Sequence, residues 1–183
     1  MLLATVEVGF DPFQKYGGVS ASIQLDAGCL VVIQHPVTTE YEKSQSHVIE
    51  TLYAVRDLGL PTLWLWPNID VGSAGMFRGI RAFCELERPA NIYFFKNMEA
   101  TDFLRLVYNS LCIVGNSSVA IRECSFLGVP AVNIGTRQID RERGCNVIDV
   151  DYNRDQIKTD VPFIGRPGVW HNILKLFLFS PIL

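Results

Sequence analysis

The feature of this sequence that most constrains its fold is an alternation, repeated five times, between short apolar runs and segments with helical spacing. The runs are rich in β-branched and aromatic residues and are apolar throughout, not at every second position. Such runs are typical of strands that are buried on both faces of a parallel sheet. They predict five strands, at 29–34, 62–67, 91–96, 111–114 and 130–134.

Apolar residues recur at three- and four-residue spacing between these runs, which predicts helices. Gly59 and Pro61 end the first helical segment, and Gly128 and Pro130 end the last one. Strands and helices that alternate through right-handed crossovers form a doubly wound parallel sheet, so the predicted fold is α/β and Rossmann-like. The predicted helices cover 41–58, 73–83, 99–109 and 117–127.

The chain has 183 residues, which is enough for one domain with a proper core. We assign 29–150 to the Rossmann-like domain, 1–28 to a connector with turn residues, and 151–183 to a tail in which the alternation fades. Hydrophobic residues make up 49% of the chain, which is a globular composition and not a disordered one. The net charge of −3 gives no basic surface for nucleic acid.

No segment is apolar over the roughly 20 residues that a membrane span needs, and none is polybasic. The first residues lack the pattern of a signal peptide, so we expect a soluble, cytoplasmic protein. The five cysteines never form a C-x-x-C pair, and the three histidines lack metal-ligand spacing. We therefore expect reduced cysteines, mainly in the core, and neither a metal nor a cofactor.

Polar residues directly follow the predicted strands, at the edge of a parallel sheet where ligands bind. The loops between strands and helices also need turn and capping residues, and this need accounts for Asn68 and Ser117. It accounts poorly for His35, Lys96 and Arg137. We therefore expect a ligand site at this edge.

The loop Gly115-Asn116-Ser117-Ser118 places a glycine and three short hydrogen-bonding side chains at the start of the predicted helix 117–127. The free N–H groups and the helix dipole there suit a diphosphate, although a simple serine N-cap explains the same residues. Glu123 follows Ser117 by six residues, which is about 9 Å along an α-helix. Its carboxylate could accept both hydroxyls of a ribose, or it could be a solvated surface charge.

Two further side chains suit a phosphorylated ligand. Arg137 would present a forked cation to phosphate oxygens. His35 is followed by Pro36, which favours an extended backbone at the end of the strand. The His35 imidazole could donate to a phosphate oxygen or protonate a leaving phosphate, and a packed, satisfied histidine is the alternative interpretation.

Four segments carry a resemblance to a known family: QHPVTTEYEK (34–43), LWPNIDVGS (65–73), FFKNMEATDFLRL (94–106) and VGNSSVAIRECSFLGVPAVNIGTRQIDRERGCNVIDV (114–150). In this order they resemble the UDP-N-acetylglucosamine 2-epimerases, most closely the hydrolysing kind. The resemblance covers about residues 31–150 and is most specific in the last segment.

The resemblance implies a two-domain, GT-B-like enzyme that binds a UDP-sugar in the cleft between its domains. It also implies that this C-terminal domain binds UDP, and that most catalytic carboxylates lie on an N-terminal domain that this sequence does not contain. His35 would be the catalytic residue, facing the sugar and phosphates. The implied substrate-binding residues are Asn68 at the sugar and phosphates, Asn97 and Met98 near the uracil, Ser117 and Ser118 at the diphosphate, Glu123 at the ribose, and Arg137 at the phosphate–sugar region.

The family reaction resembles removal of the C2 proton with loss of UDP, which gives a 2-acetamidoglucal, followed by addition of water and release of N-acetylmannosamine. We therefore expect this chain to bind UDP-N-acetylglucosamine or UDP, to need the N-terminal domain as a partner, and to be inactive alone; a homo-oligomer is a further expectation. The family's glycine-rich segment is not recognisable after residue 160, so we expect a truncated or divergent tail.

Two alternatives remain open from the sequence. One is a non-catalytic module that binds a UDP-sugar. The other is a GT-B glycosyltransferase domain, which shares the fold and a ribose-binding glutamate. The HPVTTE and NIGTRQ segments argue against the glycosyltransferase.

Overall fold

The computed structural model describes residues 12–16 and 28–164. Within them one sheet is formed by β1 (Leu30–Ile33), β2 (Thr62–Leu65), β3 (Ile92–Phe95), β4 (Cys112–Gly115), β5 (Ala131–Ile134) and β6 (Val147–Val150). The strand order is β3-β2-β1-β4-β5-β6, and every neighbouring pair is parallel. The parallel α/β sheet that the sequence predicts is therefore confirmed.

Helices cover both faces of the sheet. In the described residues α2, α3 and α6 pack on one face, and α1, α4 and α5 pack on the other. Two 3-10 helices, Thr38–Lys43 and Ser118–Ala120, precede α2 and α5. The α-helices are α1 (Pro12–Tyr16), α2 (Ser44–Leu58), α3 (Ser73–Glu87), α4 (Ala100–Tyr108), α5 (Glu123–Leu127) and α6 (Arg154–Ile164).

The central strand β1 shows why its apolar run is continuous. Leu30 and Val32 face the α2, α3 and α6 side, whereas Val31 and Ile33 face the opposite side. All four side chains are buried. Burying an aliphatic side chain of this size contributes about 1.5–3 kcal/mol, so a polar residue at any of the four positions would oppose folding.

The alternation continues further than the sequence predicts. Strand β6 extends the five predicted strands to six, and it lies at the edge of the sheet, where it pairs only with β5. β6 is only partly buried and its Asp149 is exposed, so it lacks the long apolar run of the other strands, including β3 at the opposite edge, which is fully buried. Helix α6 was also not predicted, because its buried apolar stripe includes only Ile157 and Val161 among the described side chains.

The predicted helix at 117–127 is wrong as a single element. The hydrogen bonds from Ala120 N to Ser117 O (3.2 Å) and from Ile121 N to Ser118 O (3.1 Å) wind its first turn as a 3-10 helix. The α-helical part then has only five residues, beginning at Glu123. The distance expected along a continuous α-helix between Ser117 and Glu123 therefore does not apply.

The other helix predictions are close. Helix α2 ends at Gly59, whose φ of 66° is left-handed, as expected for a glycine that closes a helix. Helix α3 runs four residues past the predicted end at 83.

Cys29, Cys112 and Cys124 are buried free thiols. No helix in the described part of the chain has both the length and the apolar character to cross a bilayer.

The predicted end segments are described only in part. In the connector, the structure describes α1, whose Phe13 packs edge-on against Tyr93 with ring centroids 4.5 Å apart. The connector residues 1–11 and 17–27 lie outside the described residues, and so does most of the predicted tail, from residue 165.

Candidate functional site

The carboxyl ends of β1, β4 and β5 form the centre of the candidate site. The strand order reverses between β1 and β4, since β2 and β3 extend to one side and β5 and β6 to the other. In doubly wound sheets, the crevice at such a reversal is where ligands bind. At Gly115 the two central strands come so close that an added Cβ would lie 2.0 Å from Ile33 O. With its φ of 132°, the position requires glycine.

Asn116 follows Gly115 and is completely buried. Its side chain is bonded twice to the backbone of His35: His35 N donates to Asn116 Oδ1 (2.7 Å), and Asn116 Nδ2 donates to His35 O (2.9 Å). The β1–β4 ladder ends at the pair Ile33–Gly115. Beyond this pair, the Asn116 side-chain amide makes the hydrogen bonds to β1 that strand pairing no longer supplies. The loops after β1 and β4 are held together by this side chain.

The His35 imidazole is half-buried at this edge. Its Nδ1 is buried and has no hydrogen-bond partner in the described residues. Burial and, to a lesser extent, the positive charge of Arg137 lower the pKa of His35 to about 4, although Asp70 opposes the shift. The ring is therefore neutral near pH 7. The alternative of a packed histidine with satisfied hydrogen bonds does not fit the unpaired Nδ1.

Glu123, like His35, has a buried polar atom that lacks a hydrogen-bond partner among the described residues. It begins α5 and is half-buried, and its Oε2 is buried without a hydrogen-bond partner among the described residues. A surface carboxylate would have both oxygens in water, so the solvated-charge interpretation does not describe this side chain. A buried carboxylate oxygen that lacks a donor is poised to accept one from a ligand.

Ser117 and Ser118 follow Asn116 and begin the 3-10 helix after β4. The hydroxyl of Ser117 accepts a long hydrogen bond, 3.5 Å, from Val119 N, so Ser117 is the N-cap of the 3-10 helix. The interpretation of Ser117 as an N-cap therefore agrees with the geometry. The helix dipole expected for a long helix is reduced, because the 3-10 helix has three residues and α5 has five.

Arg137 reaches the site from the loop after β5. Its side chain is exposed, and Nη1 donates to Asn116 O (3.2 Å). The neighbouring Gln138 is buried and donates to the same oxygen (2.7 Å). One arm of the guanidinium is therefore anchored, and the rest of its fork points into an accessible region.

The other predicted site residues follow β2 and β3. Asn68 is exposed in the loop after β2. Asn97 is exposed after β3, and its Oδ1 accepts from Met98 N (2.8 Å). The Met98 side chain is buried in the core beneath α4 and α5. The structure therefore places Asn68 and Asn97 at the same carboxyl edge, whereas the Met98 side chain packs mainly into the core.

Three contacts at this edge were not predicted from the sequence. Thr136 Oγ1 donates to Glu40 Oε1 (2.5 Å), which joins the loops after β5 and β1. The Tyr152 ring stacks on His47 at 3.6 Å and packs against Gly135, where an added Cβ would be 2.2 Å from the phenol ring. Burial raises the pKa of Tyr152 to about 12. Tyr152 carries no sequence signal, because it lies where the alternation fades.

Several cavities open along this edge. One of about 540 Å³ lies at the ends of β5 and β6. A smaller one of about 390 Å³ lies beside Arg137 and is lined also by Thr38–Glu40, Asp70 and Thr136. A larger one of about 530 Å³ lies between β2, β3 and α3 and is lined mainly by apolar side chains. The smaller cavity has the hydroxyl and charged groups that recognise polar ligands, so it belongs to the candidate site despite its size.

Sequence comparison identifies relatives over most of the chain. The profile of the family described as UDP-N-acetylglucosamine 2-epimerase matches residues 12–164. The UDP-N-acetylglucosamine 2-epimerase of Neisseria meningitidis serogroup B is 30% identical over 146 residues, 80% of this chain and 34% of that protein. The UDP-N,N'-diacetylbacillosamine 2-epimerase (hydrolyzing) of Legionella pneumophila is 32% identical over 151 residues, 82% and 36% of the two chains. The chain thus spans about a third of the length of these relatives.

Solved structures show the same fold. The UDP-GlcNAc 2-epimerase of Methanocaldococcus jannaschii matches with a TM-score of 0.61 and 13% identity, over 86% of this chain and 47% of that one. Its complex with UDP-GlcNAc and UDP matches with a TM-score of 0.56 and 13% identity, over 84% and 45% of the two chains. At this identity the likeness establishes the fold alone, a Rossmann-like domain of the GT-B type.

Proposed function

The chain belongs to the UDP-N-acetylglucosamine 2-epimerase family, and we propose that it is the UDP-binding half of a hydrolysing UDP-N-acetylglucosamine 2-epimerase. The proposed ligand is UDP or UDP-N-acetylglucosamine, held at the carboxyl ends of β1, β4 and β5. The archaeal neighbour has been solved with these two molecules bound.

The observation that carries the proposal is the unpaired Oε2 of Glu123. Leaving a buried polar atom without a partner costs about 1–3 kcal/mol, and more for a charged group. Ribose hydroxyls would donate to this carboxylate and remove that cost. Its position at the start of α5, beyond the Ser117–Ser118 turn, leaves that turn for the diphosphate.

Arg137 is the proposed phosphate ligand. Its guanidinium is anchored by one arm to Asn116 O, so it loses little freedom when phosphate oxygens bind the other donors. The hydroxyls of Ser117 and Ser118 are the proposed additional donors to the diphosphate. Asn68 is proposed at the sugar and phosphates, and Asn97 with the Met98 backbone near the uracil.

His35 is the proposed catalytic group of this half. In the chain without ligand its ring is neutral, because burial and the charge of Arg137 hold its pKa at about 4. A bound diphosphate would offset the charge of Arg137 and so raise the pKa of His35. The imidazole could then donate to the oxygen that leaves with UDP.

The proposed reaction needs groups that this chain does not supply. A base removes the C2 proton, the C1–O bond breaks, and UDP leaves with the bonding pair. Water then adds across the resulting double bond and gives N-acetylmannosamine. One neutral histidine cannot act as the C2 base, the acid for UDP and the activator of water, so we propose that an N-terminal domain supplies the carboxylates.

Exposed apolar residues support a partner domain over this edge. Ile69, in the loop after β2, is 92% exposed, and Ile139, in the loop after β5, is 66% exposed. Both lie beside the cavities of the carboxyl edge. A partner domain that covered the cleft would bury both side chains. A homo-oligomer and a cytoplasmic location stay predictions.

The test is calorimetric titration of the purified chain with UDP and with UDP-N-acetylglucosamine, together with an assay for released UDP and N-acetylmannosamine. We expect weak binding and no turnover, because one wall of the cleft leaves the sugar in water. No binding at millimolar UDP would refute the proposal. Sustained turnover would show that the chain, alone or as a dimer, contains the catalytic groups, and would also exclude a merely non-catalytic module.

A further inference from the structure

Asn116 does more in this structure than occupy a motif position. It is completely buried, and its backbone N donates to Ile33 O (3.0 Å). Its side chain is bonded to both backbone groups of His35, and its carbonyl oxygen accepts from Arg137 and Gln138. Each of its polar groups is therefore used, and the partners come from the ends of β1 and β5.

We propose that Asn116 is a positioning residue that couples His35 to Arg137, so that one buried amide sets the geometry of both ligand-facing groups. The inference rests on the proposed function of this edge. It assigns a role to a residue that need not touch the ligand at all, because its side-chain amide is bonded to the His35 backbone and also contacts Tyr152.

The coupling follows from where strand pairing ends. Past Ile33, the backbone of β1 has lost its β4 partner, and the Asn116 amide supplies two hydrogen bonds in its place. The His35 ring is then held in the half-buried position that leaves Nδ1 unpaired. The same residue anchors Arg137 through the adjacent carbonyl, so a shift of the Asn116 peptide moves both groups together.

A double-mutant cycle on UDP affinity tests the coupling. Asn116→Ala should weaken UDP binding about tenfold in the otherwise unchanged chain, but only about threefold in an Arg137→Ala background, because Asn116 then positions His35 alone. Equal losses in both backgrounds would overturn the proposal, because a residue that only stabilises the fold acts independently of Arg137.

A second readout does not depend on UDP. The histidine pKa values can be followed by NMR titration of the imidazole signals, with His35→Gln to assign its resonance. Once Asn116→Ala releases the backbone of His35, its ring should gain solvent and its pKa should rise toward the usual value near 6.5. An unchanged pKa of His35 would contradict the proposal even if UDP binds.

The matched control is Asn91→Ala. Asn91 likewise makes two hydrogen bonds to the backbone through its side-chain amide, donating to Val55 O (3.3 Å) and Leu60 O (3.2 Å), but it precedes β3 at the opposite edge of the sheet. Its loss should lower stability and leave both the UDP affinity and the pKa of His35 unchanged. If Asn91→Ala changed the UDP affinity and the pKa of His35 as much as Asn116→Ala does, Asn116 would have only a structural role.

If Asn116→Ala does not fold, Arg137→Ala tests the same coupling between His35 and Arg137. Arg137 is exposed, so its removal leaves the core intact. Loss of its bond to Asn116 O should loosen the amide that holds His35, and amide hydrogen exchange at His35 N should quicken several-fold. The same exchange rate as in the unchanged protein would overturn the coupling, whereas UDP that fails to bind any variant would refute only the proposed function.

Discussion

The outer surface of α2 and the carboxyl edge of the sheet differ in whether their charged and polar groups have hydrogen-bond partners. On α2, Asp57 accepts from Arg56 Nη2 (2.7 Å) and Arg154 Nε (2.8 Å), and Lys158 Nζ lies 3.4 Å away. At the carboxyl edge, His35 Nδ1 and Glu123 Oε2 are buried without a hydrogen-bond partner in the described residues.

This difference separates groups that stabilise the fold from groups that are available to bind a ligand. The Asp57 cluster is complete within the chain, so it stabilises the fold modestly, as ion pairs near a surface do. The unpaired atoms at the carboxyl edge oppose folding, by about 1–3 kcal/mol for each such atom. A fold retains that cost where a bound molecule removes it. Substitutions in the two regions should therefore change different measured quantities.

The largest expected effect on binding is at Glu123. Glu123→Ala should weaken UDP binding by about 1.5–3 kcal/mol, which is about 10- to 150-fold, because hydrogen bonds to a carboxylate are lost. The melting temperature should rise by a few degrees, because the substitution removes the buried, unpaired Oε2 that opposes folding. Calorimetric titration and thermal melts measure the two quantities.

Two controls frame this prediction. Glu142→Ala removes an exposed carboxylate from the loop after β5 and should change neither quantity. Asp57→Ala should lower the melting temperature and leave UDP binding unchanged. If Glu123→Ala and Glu142→Ala had equal effects on UDP binding, Glu123 would be an ordinary surface charge and the contrast between the regions would fail.

A smaller effect is expected when the guanidinium fork is replaced. Arg137→Lys should weaken UDP binding by about 1 kcal/mol, since a point charge keeps the attraction but loses the paired hydrogen bonds. Arg154→Lys is the matched change on the other surface, where Nε and Nη2 both bond to Asp57. It should lower the free energy of unfolding only. An effect of Arg154→Lys on UDP binding would show that the two regions are linked.

The sequence predicts the inner part of the fold well because burial there is complete. Five strands show as continuous apolar runs, and α2 ends at a glycine with a positive φ. Strand β6 and helix α6 were missed, because a partly buried strand and a helix with a narrow apolar stripe need few apolar residues. The broken helix at 117–127 was missed because its apolar spacing is the same whether its first turn is α-helical or 3-10.

The site was predictable as a set of positions, but not as a set of contacts. Polar residues after strands indicated the carboxyl edge, and the structure brings His35, Ser117 and Arg137 there. Nothing in the spacing showed that the Asn116 side chain binds the His35 backbone, because the two lie 81 residues apart. The functional roles of the predicted residues stay predictions until binding is measured.

The smallest expected effect is the pH dependence of the Asp57 cluster. Partial burial disfavours the charged form of Asp57, but hydrogen bonds from Arg56 and Arg154 outweigh it and hold the pKa at about 2, below its usual value of 3.8. A lowered pKa in the folded state means that the stabilisation is complete above about pH 4 and is lost as the pH falls toward 2. Asp57→Asn should therefore lower the free energy of unfolding by about 0.5 kcal/mol at pH 7. Urea unfolding from pH 7 to 2 should show the difference between the two proteins shrinking below pH 4, whereas a constant difference would mean that Asp57 stabilises through packing and not through its charge.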